Sequence, residues 1–115
     1  MPNGPGDGKK ENRLHPRVSV QFRSHFSSKK RMLAGDGELK DLSLGGCRVS
    51  SSIAAQVGAE LELCIFPADE GNPFIIDAAT VRWAGAREFG LAFTQMRPAV
   101  EQQLVRLCRK RAPLS

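Results

Sequence analysis

Apolar and polar residues alternate along most of this chain, which is the pattern of β-strands with one buried face. Val18, Val20 and Phe22 alternate with polar neighbours, and this first predicted strand extends toward Phe26. Five further strands are predicted over residues 32–42, 47–49, 61–65, 74–83 and 89–93. The glycines in 35–37 predict a bulge or kink within the second strand.

The hydrophobic period changes near the end of the chain. Val100, Leu104, Leu107 and Cys108 fall on one stripe of a helix, which we place at about 98–111. Six short strands and one helix predict an all-β fold, a six-stranded antiparallel β-barrel with a C-terminal α-helix. We expect one such domain over 13–115, preceded by a flexible leader at 1–12 that is rich in glycine and proline.

Length and composition fit this prediction and exclude several classes of protein. With 115 residues, 41% of them hydrophobic and 25% charged, the chain suits one globular domain. No apolar run approaches the ~20 residues of a membrane-spanning helix, and the N-terminus lacks a secretion signal. We therefore expect a cytoplasmic protein without membrane contact. Its three cysteines, Cys47, Cys64 and Cys108, are predicted to be reduced, buried thiols.

Positive charge is concentrated at the C-terminus. The net charge is +5, and the segment from Arg97 onward holds five basic residues and one acidic residue. Such a tail is often only a solvated helix end, but it also suits an anionic ligand, a nucleic acid or an acidic partner.

Two short motifs carry the candidate chemistry. Arg13 and Arg17 form an R-x-x-x-R, and Asp41, Ser43 and Gly46 form a D-x-S-x-x-G. Two guanidinium groups, a carboxylate, a hydroxyl and a glycine turn are suited to holding a phosphate-bearing guanine nucleotide. Each residue also has a commoner interpretation as a surface arginine, a turn-forming aspartate, a serine that caps its own turn or a left-handed glycine.

In this order and strand context, together with the strands around Trp83 and 90–93, the two motifs resemble those of a PilZ domain. The resemblance covers about 11–111. It implies a six-stranded barrel with a C-terminal helix and a receptor for the bacterial second messenger cyclic di-GMP. It also implies a downstream protein partner, whose identity the sequence does not give.

The resemblance assigns a ligand-binding set, which we predict to be Arg13, Arg17, Asp41, Ser43, Gly45, Gly46 and Trp83. An arginine fork matches phosphate oxygens or the O6/N7 edge of guanine, and its face stacks on a base. Asp41 is suited to accept from the guanine N1–H and N2–H₂ donors. Trp83 either stacks a guanine at the surface or belongs to the core, and the sequence leaves both open.

We predict no enzyme, no metal site and no cofactor beyond the bound nucleotide. Ser43 has neither a histidine base nor a G-x-S-x-G context, no phosphate-binding glycine loop occurs, and His15 and His25 lack companion ligands. The predicted function is a cyclic di-GMP receptor whose leader closes over the ligand and changes a partner-binding surface. The alternative is a small basic barrel that binds RNA or single-stranded DNA, although exposed aromatics do not alternate with basic residues.

Overall fold

The computed structural model describes residues 16–111, which form a closed antiparallel barrel and one long helix. The strands are β1 (Val18–Ser28), β2 (Leu33–Leu42), β3 (Gly46–Ser50), β4 (Glu60–Phe66), β5 (Phe74–Ala84) and β6 (Glu88–Gln95). A 3₁₀ turn covers Ala68–Glu70, and helix α1 covers Pro98–Arg111. Around the barrel the order is β1-β2-β3-β6-β5-β4, so the predicted fold class is confirmed.

The barrel interior is a packed core. Along β1 buried residues alternate strictly with more exposed ones over almost the whole strand. Phe26 and Phe89, from opposite sides of the barrel, meet edge to face at 5.1 Å between ring centroids. A small barrel of this strand number is filled by its own side chains, so any ligand must bind outside it or at its ends.

The predicted bulge at 35–37 is wrong. Gly35 and Gly37 lie in regular register opposite Phe26 and Ser24, and the irregularities fall between Ser19 and Phe22 on β1 and between Leu39 and Asp41 where β2 meets β3. Both glycines are required by packing instead. A Cβ at Gly37 would lie 2.6 Å from Val49 Cγ1, and one at Gly35 would lie 2.9 Å from Ile53.

Helix α1 closes the barrel end at which β1 begins and β2 ends. Leu104, Leu107 and Cys108 are buried on its inner face, as the stripe predicts, and Val100 packs at the edge of the core. The Cys108 thiol faces the Leu42 carbonyl at 4.0 Å. The helix therefore lies against the same barrel end that carries the D-x-S-x-x-G motif.

The last described residue of the helix fastens it to the barrel. Arg111 hydrogen-bonds the Glu70 carboxylate, donates to the Ser19 carbonyl at 2.9 Å, and lies over the Phe22 ring at 5.2 Å. The hydrogen bond from Arg111 lowers the pKa of Glu70. Arg111 of the basic C-terminal segment thus holds the helix against the barrel, whereas Arg106 and Lys110 are exposed, as expected.

Several predictions concern residues outside the described range. These are the leader at 1–12, Arg13, His15 and residues 112–115. His25 is a β1 residue, as predicted, and its Nδ1 lies 2.8 Å from Asp36. Cys47 and Cys108 are buried, but Cys64 is only partly buried because it lies on the outward side of β4.

None of the helices in 16–111 is long and apolar enough to cross a membrane. Within the same range no group of three histidine, cysteine or acidic side chains is arranged to hold a metal ion.

Candidate functional site

A row of residues on the outer face of the barrel brings the candidate side chains together. Strand register pairs Asp41 of β2 with Arg48 of β3, Arg48 with Gly90 of β6, and Gly90 with Trp83 of β5. Asp41 and Trp83 are therefore three strand spacings apart, or about 14 Å at ~4.8 Å per strand. We call Asp41, Arg48, Gly90 and Trp83 the outer row.

Asp41 is the centre of charge at one end of this row. Its Oδ1 accepts a hydrogen bond from Arg17 Nη1 at 2.6 Å, and its Oδ2 accepts one from Arg48 Nε at 2.9 Å. The Asp41 side chain is 19% exposed, against 48% for Arg17. The two motifs therefore meet in space, joined by a direct ion pair between Arg17 and Asp41.

Arg48 is a member of the site that the sequence reasoning missed. Besides Asp41 it contacts Glu88, with Nη1 donating to Oε2 at 3.0 Å. The Asp41 hydrogen bond is the main reason that the pKa of Arg48 is raised. The signal was present in the sequence: Arg48 stands between two buried apolar residues, Cys47 and Val49, so it must point outward beside the motif.

Ser43 organises the turn between β2 and β3. Its hydroxyl accepts hydrogen bonds from the backbone N–H groups of Gly45 and Gly46, at 3.2 and 3.1 Å, and donates to the Gly46 carbonyl at 3.3 Å. The side chain is buried at 3% exposure. This geometry supports the turn-capping interpretation, since a contact between this hydroxyl and a phosphate would require the turn to open.

The Gly46 position allows two strands to approach closely. A Cβ there would lie 2.1 Å from the Leu91 carbonyl oxygen of β6. Gly46 does not have a positive φ, so the left-handed interpretation of this glycine is wrong. Next to it, the Gly45 carbonyl accepts from the Phe93 N–H at 2.9 Å, which ties the motif turn to β6.

Trp83 lies at the other end of the outer row and is not a core residue. It is 44% exposed, which excludes the core interpretation, and its stacking on a guanine stays a prediction. The indole lies over Gly90, where a Cβ would be 2.0 Å from Trp83 Nε1. A glycine within an alternating strand is the sequence signal for such a close approach. The absence of a side chain at Gly90 lets the indole lie across β6, toward Arg48 on the next strand.

The charges of the site balance in this conformation. Two arginines, Arg17 and Arg48, face two carboxylates, Asp41 and Glu88. Below the row, burial raises the pKa of the Cys47 thiol and the nearby Asp41 carboxylate raises it further, so this sulfur stays protonated. Cys47 therefore packs as an apolar core residue and is not a reactive thiol.

This arrangement is an open platform with three kinds of contact. Arg17 offers a partly exposed fork for an anion, Asp41 offers acceptor oxygens for N–H groups, and Trp83 offers an exposed aromatic face. Arg13, the remaining charged residue of the predicted set, lies outside the described residues. A ligand that meets all three contacts must be elongated, anionic and flat in part.

Comparison with known proteins gives one family match. The model of the PilZ domain family matches residues 11–110 of this chain. A search of curated protein sequences gives no significant match.

Solved structures with the same fold include proteins from Bacillus subtilis and Escherichia coli. The chain resembles the inhibitor of motility MotI/DgrA of Bacillus subtilis with a TM-score of 0.69 and 19% identity, covering 84% of this chain and 49% of that one. The chain thus spans about half of that protein. It resembles the PilZ domain of Escherichia coli YcgR, solved with c-di-GMP, with a TM-score of 0.68 and 19% identity, covering 84% and 88%. The PilZ domain of CeSA, from a cellulose-synthesizing bacterium, matches with a TM-score of 0.63 and 21% identity, covering 82% and 95%.

Proposed function

The chain belongs to the PilZ domain family, and from that premise we propose that it is a receptor for cyclic di-GMP, bound on the outer face of the barrel between Arg17 and Trp83. PilZ is a family of ligand-binding receptor domains and not a known enzyme family. The observation that carries the proposal is the outer row, in which an acceptor carboxylate, arginine forks and an exposed indole share one face. The YcgR neighbour that was solved with c-di-GMP supports the choice of ligand.

Each contact of the platform matches one part of this ligand. Arg17 would bind a phosphodiester or the O6/N7 edge of a guanine, because its fork is bidentate. Asp41 would accept from the N1–H and N2–H₂ groups, which adenine does not present in this arrangement. Trp83 would stack on a base, a contact worth about 1–3 kcal/mol. Gly45, Gly46 and Ser43 would hold the turn that fixes Asp41 of β2 beside Arg48 of β3.

Ligand binding would change the surface around the start of β1. Arg17 lies one residue before that strand, and its Nη1 donates to Asp41. If both terminal nitrogens of Arg17 turned toward a phosphate, this ion pair would open, and the charge and shape at the start of the strand would change. We propose that Arg13 and the leader close over the nucleotide and that a protein partner recognises the closed state.

Titration calorimetry of the full chain tests the proposal. Cyclic di-GMP should bind, cyclic di-AMP should bind at least about tenfold more weakly because it cannot supply the donors for Asp41, and GTP should bind weakly because it offers one base. A short RNA and a short single-stranded DNA complete the set. Salt-sensitive binding of an oligonucleotide without binding of cyclic di-GMP would favour the nucleic-acid alternative instead.

A further inference from the structure

The two carboxylate oxygens of Asp41 are each bound by a different arginine. Arg17 holds Oδ1 and Arg48 holds Oδ2. A carboxylate has about four lone-pair sites, so each oxygen keeps one further acceptor position. A guanine edge presents two N–H donors, so it would share the space beside these oxygens with both guanidinium groups. An arginine that leaves Asp41 would free a second acceptor position on its oxygen.

The two arginines differ in how firmly they are held. Arg17 lies outside any strand, is 48% exposed, and has Asp41 as its one salt-bridge partner within the described residues. Arg48 lies in the middle of β3, is 37% exposed, and binds both Asp41 and Glu88. Glu88 in turn begins β6, where the backbone pairs with Ser50. Exposed single ion pairs contribute little, whereas a charge network between neighbouring strands is held in one geometry.

We propose that Arg48, supported by Glu88, is a positioning residue that fixes the Asp41 carboxylate for guanine recognition, and that Arg17 is the exchangeable partner, which leaves Asp41 for the ligand. This inference rests on the proposed cyclic di-GMP function. It assigns different roles to two arginines that bind the same side chain. Arg17 contacts the ligand, whereas Arg48 acts through Asp41.

Base selectivity is the quantity that separates positioning from other roles. Cyclic di-IMP is the matched probe, because hypoxanthine keeps N1–H but lacks the exocyclic amino group of guanine. If Arg48 orients Asp41 toward that amino group, Arg48→Gln should lower the preference for cyclic di-GMP over cyclic di-IMP. If Arg48 bound a phosphate itself, both affinities would fall equally and the preference would stay.

The experiment measures both affinities by calorimetry for wild type, Arg48→Gln, Asp41→Asn and the double variant. We expect Arg48→Gln to reduce cyclic di-GMP affinity by about tenfold, the scale of one charge-assisted hydrogen bond, and to remove most of the selectivity. In the Asp41→Asn background, Arg48→Gln should cause less than about twofold further loss, since two residues that act through one group are not additive. Arg31→Gln, at the other end of the barrel, removes the same charge and should change neither quantity.

Three outcomes would overturn the inference. Selectivity that survives Arg48→Gln, or losses that add fully in the double variant, would show that Arg48 does not act through Asp41. A lower unfolding midpoint with unchanged ligand affinities would show that Arg48 is only structural. These results leave wild-type binding intact, so they differ from failure of the proposed function, in which wild type itself would not bind cyclic di-GMP and the inference would fall with it.

Discussion

The two ends of the barrel both carry clustered basic residues, but the cations are held in different ways. At the end closed by α1, Arg17, Arg48 and Arg111 each bind a carboxylate. At the opposite end, the β1–β2 turn presents Lys29, Lys30 and Arg31 (the hairpin end), and none of these forms a salt bridge with the acidic residues that the structure describes. Arg31 bonds a neutral amide, that of Gln56, at 3.2 Å.

The hairpin end also contains a cavity. A cavity of about 680 Å³ lies there, and Lys29, Lys30 and Arg31 share its lining with Glu60 and Glu62. Met32 at the tip is 93% exposed, with φ at +50°. Positive charge and cavity volume alone therefore do not identify a site for an anionic nucleotide in this molecule. What distinguishes the outer row is geometry, because strand register holds an acceptor, a guanidinium fork and an indole on one face.

The largest expected effect comes from changing the geometry of Arg17 while keeping its charge. Arg17→Lys loses the bidentate fork and the stacking plane, so cyclic di-GMP affinity should fall at least about tenfold. Arg31→Lys makes the same exchange at the hairpin end and should leave affinity unchanged. Calorimetry of both variants measures this difference. Equal binding by Arg17→Lys and wild type would mean that the site senses only charge.

Asp41→Asn tests base recognition at the same end. Loss of the charged acceptor should lower the affinity for cyclic di-GMP by about fivefold to tenfold. It should also reduce the ratio of the affinities for cyclic di-GMP and cyclic di-AMP. Asp36→Asn is the control, because Asp36 pairs with His25 in the part of β2 near the hairpin end. Competition binding with the two nucleotides gives the ratio. A wild-type protein with equal affinity for both would show that Asp41 serves only the turn.

Trp83→Leu tests the far end of the outer row. Removing the indole face should cost at least about fivefold in affinity, the lower limit for a base–aromatic contact worth ~1–3 kcal/mol. Phe66 of β4 is another partly exposed aromatic residue, and its ring lies beside Arg23 of β1. Phe66→Leu should leave the affinity for cyclic di-GMP unchanged. Quenching or a shift of the fluorescence of the single tryptophan provides an independent readout. Fluorescence that stays constant at saturation would place the ligand away from Trp83.

The Glu70–Arg111 contact at the closed end should stabilise the fold with a defined pH dependence. The pKa of Glu70 is lowered from its ordinary 4.5 by the Arg111 hydrogen bond. Its contribution is therefore present above pH 4.5 and is lost as the pH falls through the lowered value. Glu70→Gln should reduce the free energy of unfolding by about 1 kcal/mol at pH 7, and by less in acid. Urea unfolding at pH 7 and at a pH below 4.5 measures the two free energies of unfolding. Asp69→Asn, at an exposed neighbouring position, is the control.

The smallest effect is expected from the exposed side of α1. Replacing Arg106 and Lys110 with glutamate should change cyclic di-GMP affinity less than threefold, because charges farther apart than about 8 Å are largely screened. The same change should lower the affinity for any acidic protein partner that binds this side of the helix. Calorimetry at physiological salt measures the first effect. A large loss of nucleotide affinity would extend the site onto the helix.

The fold could be predicted from the sequence because each strand and the helix carry a clear hydrophobic period. The site could be predicted only where a motif named its residues. Arg48 and Glu88 belong to no motif, and their link to Asp41 depends on strand register, which alternation alone does not fix. The roles of Gly35, Gly37 and Gly46 were misjudged for a related reason: they make room for neighbouring strands, and a single chain's sequence does not say which strands approach.

The most direct test of the central claim is where the ligand binds. In amide and indole NMR spectra of the ¹⁵N-labelled chain, saturating cyclic di-GMP should shift the Trp83 indole N–H and the backbone amides of Gly45, Gly46 and Arg48. The amides of Lys29 to Met32 should stay in place. Shifts confined to the hairpin end, with an unchanged outer row, would contradict the account.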